Sequence, residues 1–172
     1  MSATLEQGRI LWPRAEIARV LARLRKKGIV DRIVLANGCF DLLHAGHVRY
    51  LEAAAAHGQI LVVALNSDAS ARKLKGAGRP ILPLAERAEI LGALRCVDAV
   101  TSFGEPTLER TLRLLRPDVH AKGTDYTPKT VPERAVDAEL GIEIAICGDA
   151  KRSSSSALLA RIARVAPGSR AR

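Results

Sequence analysis

Two histidines flank an alanine and a glycine in His44-Ala45-Gly46-His47, where an apolar run gives way to a helical pattern. Imidazoles placed there can donate to phosphoryl oxygens. A helix N-terminus adds donors of its own: its first backbone N–H groups have no partner within the helix, and that end carries partial positive charge. Gly46 has no side chain, which lets a phosphate chain approach the backbone. Such a site suits displacement at an α-phosphorus, where charge grows on the equatorial oxygens and catalysis is mostly positioning and charge stabilisation. For an isolated match, plain helix-start histidines are the alternative. The strand-loop-helix context and the preceding Asn37-Gly38-Cys39-Phe40-Asp41 favour phosphate chemistry. No third His, Cys or carboxylate has metal-partner spacing, so no protein metal site is expected. His57 and His120 are read as structural.

Further residues extend the pattern. Lys75 lies in the basic, Gly-containing stretch Lys73–Arg79, where a lysine can close over phosphates. A solvated basic loop is the alternative. Asp68, just past a strand, is a candidate for the acceptor or a metal, or else a loop cap. Lys122 follows a strand and can reach a phosphate. Asp125 and Tyr126 are candidates for nucleotide or sugar, with plain packing as the alternative for Tyr126. Arg152-Ser153-Ser154-Ser155 opens the last helix, offering either a second anion site or simple N-caps.

The elements that must position these residues follow from periodicity. Helices are expected over 13–27, 46–57, 83–94, 107–115, 132–140 and 155–165, and strands over 33–36, 60–65, 99–102, 119–121 and 143–146. Apolar strands alternating with helices predict an α/β fold, with a parallel sheet covered on both faces. Ligands in such sheets sit beyond the carboxyl ends of the strands, near a switch in strand order. The domain organisation expected is an N-terminal helical extension (1–30), a catalytic domain (31–166) and a flexible tail (167–172).

Composition narrows the classes. The 172 residues are 48% apolar and only 3% aromatic, so one domain with an aliphatic core is expected. No apolar run approaches the ~18 residues of a membrane span, and the N-terminus lacks an apolar signal region. Three widely spaced cysteines lack CxxC spacing, which fits a reducing cytoplasm. The net charge of +9 points to anionic partners. A basic nucleic-acid-binding module is disfavoured, because helix-turn-helix, RNP and zinc patterns are absent and stacking aromatics are scarce. A catalytically dead nucleotide sensor is disfavoured by intact His44, His47 and Lys75.

The run Asn37-Gly-Cys-Phe-Asp-Leu-Leu-His-Ala-Gly-His-Val-Arg-Tyr-Leu51 resembles the signature of the HxGH cytidylyltransferase-like superfamily. More narrowly, it resembles the bacterial D-glycero-D-manno-heptose 1-phosphate adenylyltransferases. The likeness continues through Leu65-Asn-Ser-Asp68, Gly78-Arg-Pro80, Glu86-Arg-Ala88, Lys122-Gly-Thr-Asp-Tyr-Thr127 and Arg152-Ser-Ser-Ser155, covering residues 30–165. It implies a Rossmann-like three-layer α/β/α fold with a five-stranded parallel sheet. It also implies in-line transfer of AMP from ATP, with magnesium, to a sugar phosphate, giving ADP-heptose and pyrophosphate. His44, His47 and Lys75 would be catalytic. Asn37 to Phe40, Gly46, Lys122, Asp125 and Arg152 to Ser155 would bind nucleotide. Asp41, Asp68, Arg79 and Tyr126 would serve the acceptor, with Asp41 bracing its loop. A glycerol-3-phosphate cytidylyltransferase, or a member using another nucleotide, is the alternative within the same chemistry. A homodimer is an option, and a separate sugar kinase is expected to supply the acceptor. Two departures stand out: serines replace the usual threonines after Arg152, and Thr124 replaces a glycine. A threonine at that point would disfavour a left-handed backbone that glycine tolerates.

Overall fold

The computed structural model describes residues 11–149 and 155–165. The elements are α1 (Arg14–Lys26), β1 (Ile33–Gly38), α2 (Ala45–Ala55), β2 (Ile60–Asn66), α3 (Asp68–Lys75), α4 (Leu84–Gly92), β3 (Ala99–Phe103), α5 (Glu109–Leu115), β4 (Val119–Gly123), α6 (Arg134–Leu140), β5 (Glu143–Cys147) and α7 (Ser155–Val165). All neighbouring strands pair in parallel, in the order β3-β2-β1-β4-β5. The five-stranded parallel sheet expected from the alternation is therefore the one that forms. Its order reverses between β1 and β4, opening the crevice where open α/β sheets bind ligands.

Two apolar layers clothe the sheet. On one side Ile17, Leu21, Leu24, Leu108, Leu112 and Val136 pack on Ile33, Leu35, Ile60 and Val62. On the other, Tyr50, Leu51, Ala54, Ala88 and Leu91 pack on Val34, Ala36, Leu61 and Val63. Helix α1 is built into the first layer, and Trp12 donates its backbone N–H to Val100. The helix closes at Gly28. Gly28 takes φ 63, with Ile29 N bonding Leu24 O and Gly28 N bonding Arg25 O, a Schellman closure. Among the described residues, no helix is long and apolar enough to cross a membrane.

Two expectations need correction. Residues 68–75 are a helix, capped by the Ser67 hydroxyl accepting from Ser70 N, so Lys73 and Lys75 end a helix rather than sit in a loop. Only Ser70 and Ala71 of it are buried, too little apolar surface to leave a periodic signal. Lys122 lies within β4 and is buried, not in the loop beyond it.

Candidate active site

A cavity of about 630 Å³ opens at the carboxyl ends of the strands and is lined from the ends of β1, β3, β4 and β5 and from α3. His44 is the N-cap of α2, and its ring stacks on that of His47 with centroids 3.9 Å apart and planes 23° apart. Gly46 between them also makes room for this arrangement: a Cβ there would stand 3.0 Å from the His44 ring. Phe40 flanks the pair, 5.2 Å from His47 and 6.2 Å from Tyr50. Phe40 holds φ 45, a conformation that costs a bulky residue of order 1–3 kcal/mol and clusters at functional sites. Burial first, then His44, then Lys75, hold His47 down to about 4. His47 is thus neutral near pH 7 before a ligand arrives.

The loop carrying Phe40 is braced from beneath. Asp41 is buried and accepts from the backbone N–H groups of Ile81 (2.6 Å) and Leu82 (3.1 Å), while Arg79 lies 2.5 Å from its other oxygen. Arg87, fully buried, donates to the carbonyls of Leu82, Cys39 and Asn66 and to Asp68. One guanidinium thereby ties the ends of β1 and β2 to the start of α3 and the entry to α4. Asp68 is committed to this contact and does not line the cavity; Asp41 and Arg79 do. Arg87 was missed at sequence level, though it sits three residues after Leu84 and four before Leu91, on the inward face of α4.

At the switch point, Lys122 Nζ donates to Asn37 Oδ1 (3.1 Å) and Glu133 Oε2 (3.3 Å) and stands 4.8 Å from the Tyr126 ring. Thr124 is not in the left-handed region. Its hydroxyl instead donates to the Asp149 carbonyl, tying the loops after β4 and β5 together. Gly104 N donates to Glu105, which Arg14 of α1 also holds, at 2.8 Å. The Arg14 hydrogen bond is the main reason the Glu105 carboxyl falls to about 2, burial opposing it. The loop so anchored lends Pro106, Thr107 and Leu108 to the cavity wall.

Of the other expected residues, Gly38, Cys39, Lys75, Asp125 and Ser155 line the cavity. Burial raises the Cys39 thiol above its ordinary range. Ser155 donates to the Leu42 carbonyl at 3.1 Å. Arg152, Ser153 and Ser154 lie outside the described residues. No cluster of His, Cys, Asp and Glu among the described residues has the makings of a metal site.

A helix start bearing two stacked histidines stands at the switch point of a 3-2-1-4-5 parallel sheet, the place where open α/β folds bind ligands. A family model described as cytidylyltransferase-like matches residues 35–156. The chain belongs to that family and is a nucleotidyltransferase. It is 53% identical over 131 residues to the bifunctional protein HldE of Streptomyces coelicolor, covering 76% of this chain and 28% of that protein. It is 42% identical over 157 residues to the bifunctional protein HldE of Alkalilimnicola ehrlichii, covering 91% and 32%. The chain thus spans roughly a third or less of these relatives. Among solved structures, the lipopolysaccharide core biosynthesis protein of Thermoplasma volcanium matches with a TM-score of 0.61 and 25% identity, over 70% of this chain and 98% of that one.

Proposed function

We propose that the chain transfers the adenylyl group of ATP to heptose 1-phosphate, giving ADP-heptose and pyrophosphate. The observation that carries this reading is the stacked His44–His47 pair at the start of α2, facing the cavity that Lys75 also lines. An oxygen of the acceptor phosphate bonds to the α-phosphorus as the bond to the bridging oxygen of the β-phosphate breaks, and that electron pair leaves with pyrophosphate. The attacking oxygen is already anionic, so no general base is needed. His44, His47 and the free N–H groups of α2 meet the charge growing on the phosphorus. Lys75, on the exposed end of α3, neutralises the departing phosphates. Asn37, Gly38, Phe40 and Lys122 wall the nucleotide side, and Asp125 and Tyr126 face it from the loop after β4. Magnesium enters as the complex with ATP. Such ions keep water and phosphate ligands and need few from protein.

The likeness to relatives named HldE and to a lipopolysaccharide core biosynthesis protein supports a sugar phosphate as acceptor. The test is pyrophosphate release from protein mixed with magnesium and ATP, CTP, GTP or UTP, with heptose 1-phosphate or glycerol 3-phosphate as acceptor. Release confined to ATP with heptose 1-phosphate, and lost in His44→Ala and His47→Ala, is the expected result. Release with CTP and glycerol 3-phosphate keeps the mechanism and replaces both substrates.

A further inference from the structure

Around the wall residue Lys122 lie three ionisable side chains that the transfer chemistry does not require, His120, Glu133 and Asp137; all four are no more than 5% exposed, and Lys122 and Glu133 line the cavity. Burying so many charged groups is costly unless each is partnered. Here each is. His120 and Lys122 project from one face of β4, two residues apart, toward Asn37 at the end of β1 and toward α6 and its N-cap, Glu133. Glu133 accepts from Lys122 and, through its other oxygen, from Leu108 N at 3.1 Å. Burial would raise this carboxyl, but Lys122, the Leu108 N–H and His120 outweigh it and hold it low.

The direction of the bonds at Asn37 follows from Lys122. An ammonium has donors only, so the Asn37 atom 3.1 Å from it is the carbonyl oxygen. His120 Nε2, 3.3 Å from the same oxygen, must then carry a hydrogen. His120 Nδ1 stands 3.0 and 3.1 Å from the two Asp137 oxygens, and one proton lies between ring and carboxylate. The Asn37 amide therefore cannot flip. Its NH₂ is turned from the network, meets no acceptor among the described residues, and belongs to a residue lining the cavity.

We propose that Asn37 Nδ2 donates to a phosphate oxygen of the bound nucleotide, and that His120 and Asp137 are positioning residues that lock the amide in that sense. The inference rests on the nucleotidyltransferase reading of the cavity. His120 fixes the amide by occupying Oδ1, and Asp137 fixes the imidazole by taking Nδ1. Neither touches the ligand.

Calorimetry with the magnesium complexes of ATP, CTP, GTP and UTP, on the full chain, tests this. The triphosphate that binds wild type is then titrated into Asn37→Asp, Asp137→Asn, Asn37→Ala and the Asn37→Ala/Asp137→Asn double variant, each with a thermal melt. Asn37→Asp keeps an acceptor for His120 and Lys122 but turns an anionic oxygen toward the phosphates. Its affinity is expected to fall on the order of 10- to 100-fold, the range for a lost charged hydrogen bond, with no drop in Tm. Asp137→Asn is expected to weaken binding on the order of 10-fold, and that effect to vanish in the Asn37→Ala background. A purely structural pair would lower Tm in both backgrounds and leave affinity alone. Wild-type affinity in Asn37→Asp, or an Asp137→Asn effect that persists without Asn37, overturns the proposal. If Asp137→Asn does not fold, Asn37→Asp decides alone. Wild type that binds none of the four triphosphates overturns the reading of the cavity and this inference together.

Discussion

The rings of His44 and His47 lie 3.9 Å apart and nearly parallel, so a charge on one opposes a charge on the other. Burial is the larger cause and that repulsion adds to it, so that His47 falls from 6.5 to about 4. Its folded value is below its unfolded one, so the unfolded chain binds the proton first as pH falls. The stability contributed by neutral His47 is complete above about 6.5 and is lost progressively as pH falls toward 4. His47→Gln, which keeps a donor and cannot titrate, should therefore flatten the fall of Tm across that window. Parallel Tm-against-pH curves for the two proteins would show that His47 titrates normally.

Arg87 should be the costliest single residue to replace. Its guanidinium satisfies three backbone carbonyls and one carboxylate on three stretches of chain, at Cys39, at Asn66 to Asp68 and at Leu82. Arg87→Met leaves those acceptors without donors, and a loss of about 3–5 kcal/mol is expected from such a break. Arg87→Lys should recover little of it, since an ammonium on a flexible stem cannot span the same fork. Urea melts measure both. A loss below about 1 kcal/mol in Arg87→Met, the range of an ordinary surface change, would contradict the hub assignment.

Most of the sheet was legible because its strands are apolar throughout: Ile60–Leu65 has no polar residue to mask it. Strand ends were read short wherever the strand runs into the site. Asn37, Gly38, Asn66, Lys122 and Gly123 are polar or small, yet lie within strands. Function displaces the strand signal there. Lys122 was identified as a site residue but placed in a loop. Glu133, Asp137 and Arg87 left weaker traces, because a charged residue on an inward helix face looks like a lapse in the pattern. What it answers is a partner brought from a distant segment, such as Asn66 for Arg87 or His120 for Asp137. The placement of His44 and His47 at the start of α2 was legible because a helix start and the side chains it carries are contiguous in sequence.

Lys75 separates catalysis from stability. It is the last residue of α3, exposed, and followed by Gly76 at φ 93. Lys75→Ala removes no buried contact, so its effect on unfolding should stay within about 0.5 kcal/mol. If Lys75 acts on the leaving phosphates as proposed, losing its charge should lower kcat by roughly 100-fold, the scale for one stabilising donor. Single-turnover pyrophosphate release gives the rate. If KM rises while kcat stays unchanged, Lys75 holds the ground state rather than the transition state.

Gly46→Ala sets helix preference against site geometry. Alanine is a better helix former than glycine by up to about 1 kcal/mol in an interior, less in a first turn, so stability should hold or rise slightly. The new Cβ, however, would stand 3.0 Å from Cε1 and Nδ1 of His44, closer than such atoms settle without movement. The His44 ring must give by a few tenths of an ångström, which under the proposed transfer shifts its donor relative to the phosphorus. A misplacement of about 1 Å costs on the order of 100-fold in rate, so a smaller shift should still lower it measurably. Tm and kcat measured on the same preparation should therefore part company, the first unchanged or higher and the second lower. Wild-type turnover in Gly46→Ala would mean that the His44 ring position is not what the reaction depends on, and that Gly46 matters only for backbone access.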